Sequence, residues 1–364
     1  MSGPTPTRAR DTLPDLLRGL AVGGILIVNM QDFAGFREWA QGGPDRVAQA
    51  LTDFFVNGKS ISLFALLFGA GLAAFTARQG YGRAAWRLAV LLALGGLHFI
   101  ALWHGDIIAA YALTGLALLA LLRLPIPVLL ALAGLLEAGW LLWQGLAGVF
   151  SSGLRWTTYD TFAPGETYLH LAAERARLWW PDLWANELFN FPLLLALLAL
   201  GAGLQRAEVL SRPQAHRPLL TGLLLGGALL GTPLNLWLVW LNTQGTAQAG
   251  YLALVARMAG GLAFALAYLG GAGLLVAAGR AGRLAPLVAA GRMSLTHYLS
   301  QTVVCTALFF PYGLGQSGRW GALACLLFAL GLYALQVAVS GPWLARFGRG
   351  PLEWLLRLAV HGRR

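Results

Sequence analysis

From Leu16 onward the chain is a succession of apolar runs, each cut off from the next by arginine, proline or a short polar turn. The runs fall at about 16–33, 51–77, 84–104, 107–123, 126–149, 187–205, 218–241, 250–279, 286–311 and 320–345. At 1.5 Å per residue each can cross a hydrocarbon layer ~30 Å thick. The run at 107–123 is short and the one at 250–279 is long enough to tilt. In lipid every backbone polar group has to be satisfied within the fold, and unbroken apolarity without a two-residue period argues for helices. The expected fold class is an all-α integral membrane protein, a bundle of about ten transmembrane helices. Only 11% of the residues are charged, against about 25% in a soluble domain, which points the same way.

The expected organisation is a disordered N-terminus over 1–14, one transmembrane domain over 15–349 with an external loop at 150–186, and an amphipathic tail over 350–364. The first run is long, has no small-x-small cleavage site and is followed by further spans, so it reads as a retained anchor rather than a signal peptide. The loop carries acids (Asp160, Glu166, Glu174, Asp182) and aromatics (Trp156, Tyr159, Trp179, Trp180, Trp184), the pattern of an interfacial belt or a partly ordered lid. In the tail, Pro351 starts a helix, Glu353 sits in its first turn, and Trp354, Leu355 and Leu358 make an apolar face.

The net charge of +11 comes from 26 Lys+Arg against 15 Asp+Glu, with Lys59 the single lysine. The arginines lie between apolar runs rather than on one face, so they read as topology determinants and not as a nucleic-acid surface. With the N-terminus inside, the inner ends carry most of them, from Arg8, Arg10 and Arg18 to Arg349, Arg357, Arg363 and Arg364. The outer side holds Arg37, Arg46, Arg155, Arg175, Arg177 and Arg319. Both termini are therefore expected in the cytoplasm. Cys305 and Cys325 fall inside apolar runs without ligand spacing and read as buried reduced thiols. Neither a Cys/His zinc pattern, a phosphate-binding glycine loop nor a Gly-x-Ser-x-Gly elbow occurs in the sequence.

Against this background the polar residues within the runs stand out, since each is expensive in lipid. Asp15 and Arg18 are spaced to pair, and Asn29 continues their stripe along the first helix. Asn29, Lys59, His98, Asp106, Tyr111, Asn235, Arg257 and Gln301 all fall in the outer half of their spans, which implies one polar cavity open to the outer face. Lys59 is too deep to snorkel and is expected in a buried pair with a carboxylate. His104 reads as interfacial, and Glu137 as an isolated acid. At the inner edge, Arg18 and Arg292 begin apolar helices and are the candidates for anion contacts.

Several stretches together resemble the YeiB-like family of bacterial multi-pass inner-membrane proteins of unknown function. They are Asp15-Leu16-Leu17-Arg18-Gly19 with Asn29, Lys59-Ser60 through Phe68-Gly69, His98 with Gly105-Asp106 and Tyr111, and Gly291-Arg292-Met293-Ser294-Leu295-Thr296 with Tyr298 and Gln301. Ser340-Gly341-Pro342-Trp343 and Gly350-Pro351-Leu352-Glu353-Trp354 with Arg357 complete the set. The chain departs from the family pattern at Pro14, where leucine is usual, and at His297, where asparagine is usual. The family is more distantly similar to transmembrane acyltransferases of the heparan-glucosaminide acetyltransferase type. That similarity rests on Asp15-x-x-Arg18-Gly19 and the polar first helix.

The resemblance implies transfer of an acyl group from a cytoplasmic acyl-CoA co-substrate to a hydroxyl or amine of a small-molecule, glycan or lipid acceptor outside. No tightly bound cofactor, metal or nucleic acid is implied. On that reading His98 is the general base, Asp106 orients it, and Lys59, Asn29 or Tyr111 stabilises the oxyanion. Arg18 and Arg292 hold the donor phosphates. Asn235, Arg257, Gln301, Thr296 and Tyr298 line the substrate cavity. A solute or proton transporter using His98, Asp106 and Glu137 stays open beside it, as does a membrane protein without turnover.

Overall fold

The computed structural model describes residues 12–150 and 166–362, the side chains of 186–188 excepted. The N-terminal stretch 1–11, expected as disorder, and residues 151–165 of the expected loop lie outside the described residues. In chain order the helices are α1 (Thr12–Ala34), α2 (Gly43–Phe55), α3 (Lys59–Gln79), α4 (Tyr81–Ala101), α5 (Ile108–Leu121), α6 (Ile126–Phe150) and α7 (Tyr168–Arg206). They continue as α8 (Arg217–Leu241), α9 (Ala247–Ala277), α10 (Ala285–Gly291), α11 (Ser294–Phe309), α12 (Ala322–Phe347) and α13 (Pro351–His361). Among the described residues, 8 helices are long and apolar enough to cross a membrane, and α5 is a shorter apolar helix.

The burial pattern is that of a protein solvated by lipid. α1 and α3 are largely enclosed, whereas α6, α8 and α12 turn leucines such as Leu135, Leu142, Leu229, Leu230 and Leu327 outward. A soluble protein of this size would not expose so much contiguous apolar surface. Small residues let the enclosed helices approach closely. A side chain at Gly69 would collide with the Leu198 carbonyl, and one at Gly201 with the Leu66 carbonyl, so α3 and α7 are locked backbone to backbone. Gly291 meets the Asp15 carbonyl in the same way and seats α10 against α1.

Three expectations need correction. The run at 51–77 is two helices, α2 and α3, broken at Val56–Gly58. Gly58 has φ +83°, a left-handed turn, and its α-carbon lies against the Arg257 carbonyl, leaving no room for a side chain. Residues 168–186, expected as loop, are the first half of α7. The Thr167 side chain caps that helix by accepting the His170 N–H at 3.3 Å. Arg175 then donates from Nε to the Ile100 carbonyl at 2.9 Å, and Trp179 fills the space over Gly96. These contacts with α4 hold the segment as helix. Finally, Thr12–Pro14 belong to α1, with Leu13 and Pro14 buried. Proline is tolerated in that first turn because its missing N–H would have no partner there.

One end of the bundle is basic. Arg18, Arg78, Arg87, Arg212 and Arg357 surround one cavity there, and Arg292 lies beside it. Toward the opposite end Phe33, Trp103, Phe309 and Phe310 pack in an aromatic cluster. Cys305 and Cys325 are free and buried.

Candidate functional site

The turn between α4 and α5 brings His98 and Asp106 together. α5 starts against Gly95, where any side chain would strike the Ala109 amide and the Asp106 carboxylate. Asp106 Oδ2 accepts the Ala109 N–H at 2.7 Å, fixing the carboxylate at the start of α5. Its Oδ1 lies 2.9 Å from His98 Nδ1, and the two side chains are 0% and 1% exposed. With both carboxylate oxygens occupied as acceptors, the proton between Asp106 and His98 is assigned to Nδ1. In the neutral imidazole that makes Nε2 the lone pair, and Thr302 Oγ1 on α11 stands 3.1 Å from it. One turn earlier on α11, the Tyr298 ring lies 5.2 Å from that of His98 and its hydroxyl donates to the Gly105 carbonyl at 3.2 Å.

Lys59 belongs to a second group. Its Nζ donates to Asn235 Oδ1 at 2.5 Å, to the Asp53 carbonyl at 2.6 Å and to the Asn57 carbonyl at 2.8 Å. Asn235 in turn donates to the Gly231 and Gly260 carbonyls at 2.8 and 3.1 Å. An ammonium has three donors, and all three are used. Instead of the expected carboxylate pair, Lys59 ties the α2–α3 break to α8, and it keeps no proton for an oxyanion.

The single polar chamber expected from depth alone is therefore two closed clusters. Among the described residues no hydrogen bond joins His98 to Lys59, and Asn29 is half-buried and outside both. Gln301 donates to Gln336 Oε1 at 2.8 Å, in a polar seam between α11 and α12 where His297 also meets Ser340 at 2.7 Å. Thr296 lies at the basic end, bonded to Glu353. Glu137 and Gln144 share the buried face of α6, and among the described residues their side-chain oxygens and the Gln144 nitrogen have no hydrogen-bond partner.

Cavities approach the His98 group from both ends. At the basic end a cavity of about 980 Å³ is lined by Asp15, Arg18, Arg78, Arg87, Arg212 and Arg357. Asp15 pairs with Arg18 at 2.9 Å and Glu208 with Arg212 at 2.9 Å, so the arginines remain in excess. A second cavity, about 280 Å³, shares Arg18 and Arg87 with the first and adds Arg292. It runs between Phe64, Leu67, Phe68 and Leu91 to Ile107, Tyr111 and Tyr298. Arg87 and His98 are eleven residues apart on α4, about 16 Å along its axis. The cavity at the opposite end, about 590 Å³, is lined by Gln31, Asp32, Glu38, Trp39, His104 and Arg257 among others. So Arg18, Arg292, Tyr111 and Tyr298 border one space, Arg257 borders another, and His98 and Asp106 line neither.

Thr302 and the lining role of Arg87 escaped the reading of the sequence. The signal for Thr302 was its spacing: with Tyr298 and Cys305 it falls on the buried face of α11, at steps of four and three residues.

Residues 204–363 match a family described as a protein of unknown function (DUF418). Over 384 residues the chain is 31% identical to the uncharacterized protein YeiB of Escherichia coli (strain K12), spanning 96% of this chain and 95% of that one. It is 27% identical over 411 residues to the uncharacterized protein YxaH of Bacillus subtilis (strain 168), spanning 98% and 96%. A 39.9 kDa uncharacterized protein of Bacillus acidopullulyticus is 29% identical over 369 residues, spanning 96% and 93%. None of these names carries an activity.

Proposed function

The chain belongs to the YeiB-like family of membrane proteins of unknown function, and from that premise we propose that it is a membrane acyltransferase. The donor is an acyl-CoA held at the basic end, and the acceptor is a hydroxyl or amine presented at the opposite end. In this reading the protein lies in a bacterial inner membrane with the basic end and both termini in the cytoplasm, as the placement of arginines favours.

The observation that carries the reading is the cavity that runs from an arginine cluster to Tyr298, whose ring packs 5.2 Å from that of His98. Arg18, Arg87 and Arg292 mark the end suited to phosphates, since guanidinium groups bind phosphate oxygens in bidentate fashion. The walls beyond them are apolar and suit a thioester arm threading inward. Tyr111 and Tyr298 stand where that arm ends, and the Tyr298 ring packs 5.2 Å from an imidazole that Asp106 holds by its Nδ1. Tyr111 replaces Lys59 as the oxyanion donor by releasing the Ile61 carbonyl, to which its hydroxyl donates at 3.3 Å, where Lys59 is held by three shorter bonds.

Equilibrium binding of CoA to the purified protein in lipid nanodiscs tests this. Saturable binding that weakens in Arg18→Ala and Arg87→Ala is expected. Absence of CoA binding, with solute flux in proteoliposomes that needs no CoA, overturns it in favour of transport.

A further inference from the structure

Two features bear on how an acyl group would pass from the donor side to the acceptor side. The first is that His98 has no free nitrogen. Nδ1 is held by Asp106, whose other oxygen is held by the Ala109 amide, and Nε2 faces the Thr302 hydroxyl at 3.1 Å. The hydroxyl has one hydrogen and two candidate acceptors, the Nε2 lone pair and the Tyr298 carbonyl at 3.3 Å. The carbonyl is the helix partner that threonine commonly takes. The Nε2 lone pair is shorter in reach, and at full burial it would otherwise be an unsatisfied acceptor. The first proton that His98 can accept is therefore that of Thr302, not that of an incoming acceptor. Carboxylate, imidazole and hydroxyl in sequence is the arrangement that activates an oxygen nucleophile.

The second is that the donor-side cavities and the cavity at the opposite end have no lining residue in common among those described. Tyr298 closes the donor side one turn before Thr302 on α11, and His104 borders the other side two residues before Asp106. A direct attack of acceptor on donor needs both in one space. A group that takes the acyl chain from one side and yields it to the other does not.

We propose that Thr302 is the nucleophile that carries the acyl group between donor and acceptor, a role that rests on the acyltransferase reading above. In the first half, Thr302 Oγ1 attacks the thioester carbonyl while its proton passes to His98 Nε2. The C–S bond breaks, the thiolate takes the proton from His98, and CoA thiol leaves with an ester on Thr302. In the second half, the acceptor hydroxyl or amine attacks that ester and gives its proton to His98. The C–Oγ1 bond breaks, and the proton returns to Thr302. The two halves balance without a redox partner. Asp106 acts through His98 and is a positioning residue.

The test is trapping. Purified protein is incubated with acetyl-CoA and, separately, palmitoyl-CoA labelled in the acyl group, without acceptor, and digested for mass spectrometry. The expected result is one equivalent of CoA thiol released per chain and the acyl group on the peptide bearing Thr302, resistant to neutral hydroxylamine as an oxygen ester is. Thr302→Ala should lose the label by about a hundredfold or more while binding CoA as before, and Thr302→Ser should keep it. Acyl label elsewhere, no label, or transfer to an acceptor by Thr302→Ala overturns the proposal. If CoA binding at the arginine cluster persists in any of those cases, the acyltransferase reading stands without Thr302. If CoA does not bind to the wild type, both fall.

Discussion

Glu353 holds Thr296 with both of its carboxylate oxygens: Oε2 accepts the threonine hydroxyl at 2.6 Å and Oε1 its backbone N–H at 3.1 Å. Oε1 also accepts the Leu295 N–H at 2.8 Å, so a residue of α13 caps the start of α11. The first N–H groups of a helix have no partner within it, and a carboxylate there also meets the positive end of the helix dipole. The same carboxylate borders each cavity at the basic end, where it opposes the arginines. Structure and electrostatics thus pull in opposite directions at one side chain.

Glu353→Ala should lower stability by about 1–2 kcal/mol, the usual cost of a lost cap, and at the same time tighten anion binding. Glu353→Gln should keep part of the cap through its amide oxygen and show the same gain in affinity. Thermal denaturation and CoA titration of the two variants measure the two effects separately. An unchanged melting temperature in the alanine variant would show that α13 does not secure α11.

Removal of arginines should act the other way. Arg18→Ala or Arg87→Ala removes a charge from the end shared by the two donor-side cavities. A hydrogen bond to a charged group contributes about 1.5–3 kcal/mol, so affinity for CoA should fall by about ten- to a hundredfold per substitution. The loss should shrink at high salt, because these cavities open to solvent and screening acts there. Equal CoA affinity in both variants and wild type would move the donor phosphates elsewhere.

How much of this was legible in the sequence depends on how local each relationship is. The Asp15–Arg18 pair follows from i, i+3 spacing, and the structure has it at 2.9 Å. His98 and Asp106 are joined by a short turn, so their meeting is also nearly local. Thr302 is 204 residues from His98, and Asn235 is 176 from Lys59. Such partners are chosen by how each helix is rotated about its axis. Helices that are apolar on all faces do not encode that rotation in their hydrophobic pattern. The break at Gly58 was hidden because the last five residues of α2 run on into apolar α3 with no proline or arginine between them, and the tight approach of Arg257 comes from α9. Azimuth could not be read from the chain, which is why one expected chamber became two clusters.

Lys59 should matter for folding rather than for chemistry. Asn235→Ala leaves a fully buried ammonium one acceptor short, and losing a hydrogen bond to a charged group costs about 1.5–3 kcal/mol. The expected outcome is a fall in melting temperature, with unchanged CoA affinity in whatever fraction remains folded. Lys59→Met removes the charge along with its need for partners and should be the milder change. A folded Lys59→Met protein that binds CoA normally yet transfers no acyl group would instead put Lys59 back into the reaction.

The His98–Asp106 pair gives the sharpest kinetic expectation. His98→Ala removes the group that links Asp106 Oδ1 to Thr302, so acyl transfer should be abolished while CoA binding, set about 16 Å away at the arginines, is retained. Asp106→Asn preserves shape but donates where the carboxylate accepted, which favours the imidazole tautomer with its proton on Nε2, facing Thr302. By analogy with other carboxylate–imidazole pairs, kcat should fall by about 10⁴-fold. Because Oδ2 also caps α5 through Ala109, Asp106→Ala should add a loss of stability that Asp106→Asn largely spares. Single-turnover acyl transfer alongside thermal denaturation separates the two roles, and near-normal transfer by His98→Ala would remove the pair from the mechanism and leave it as packing alone.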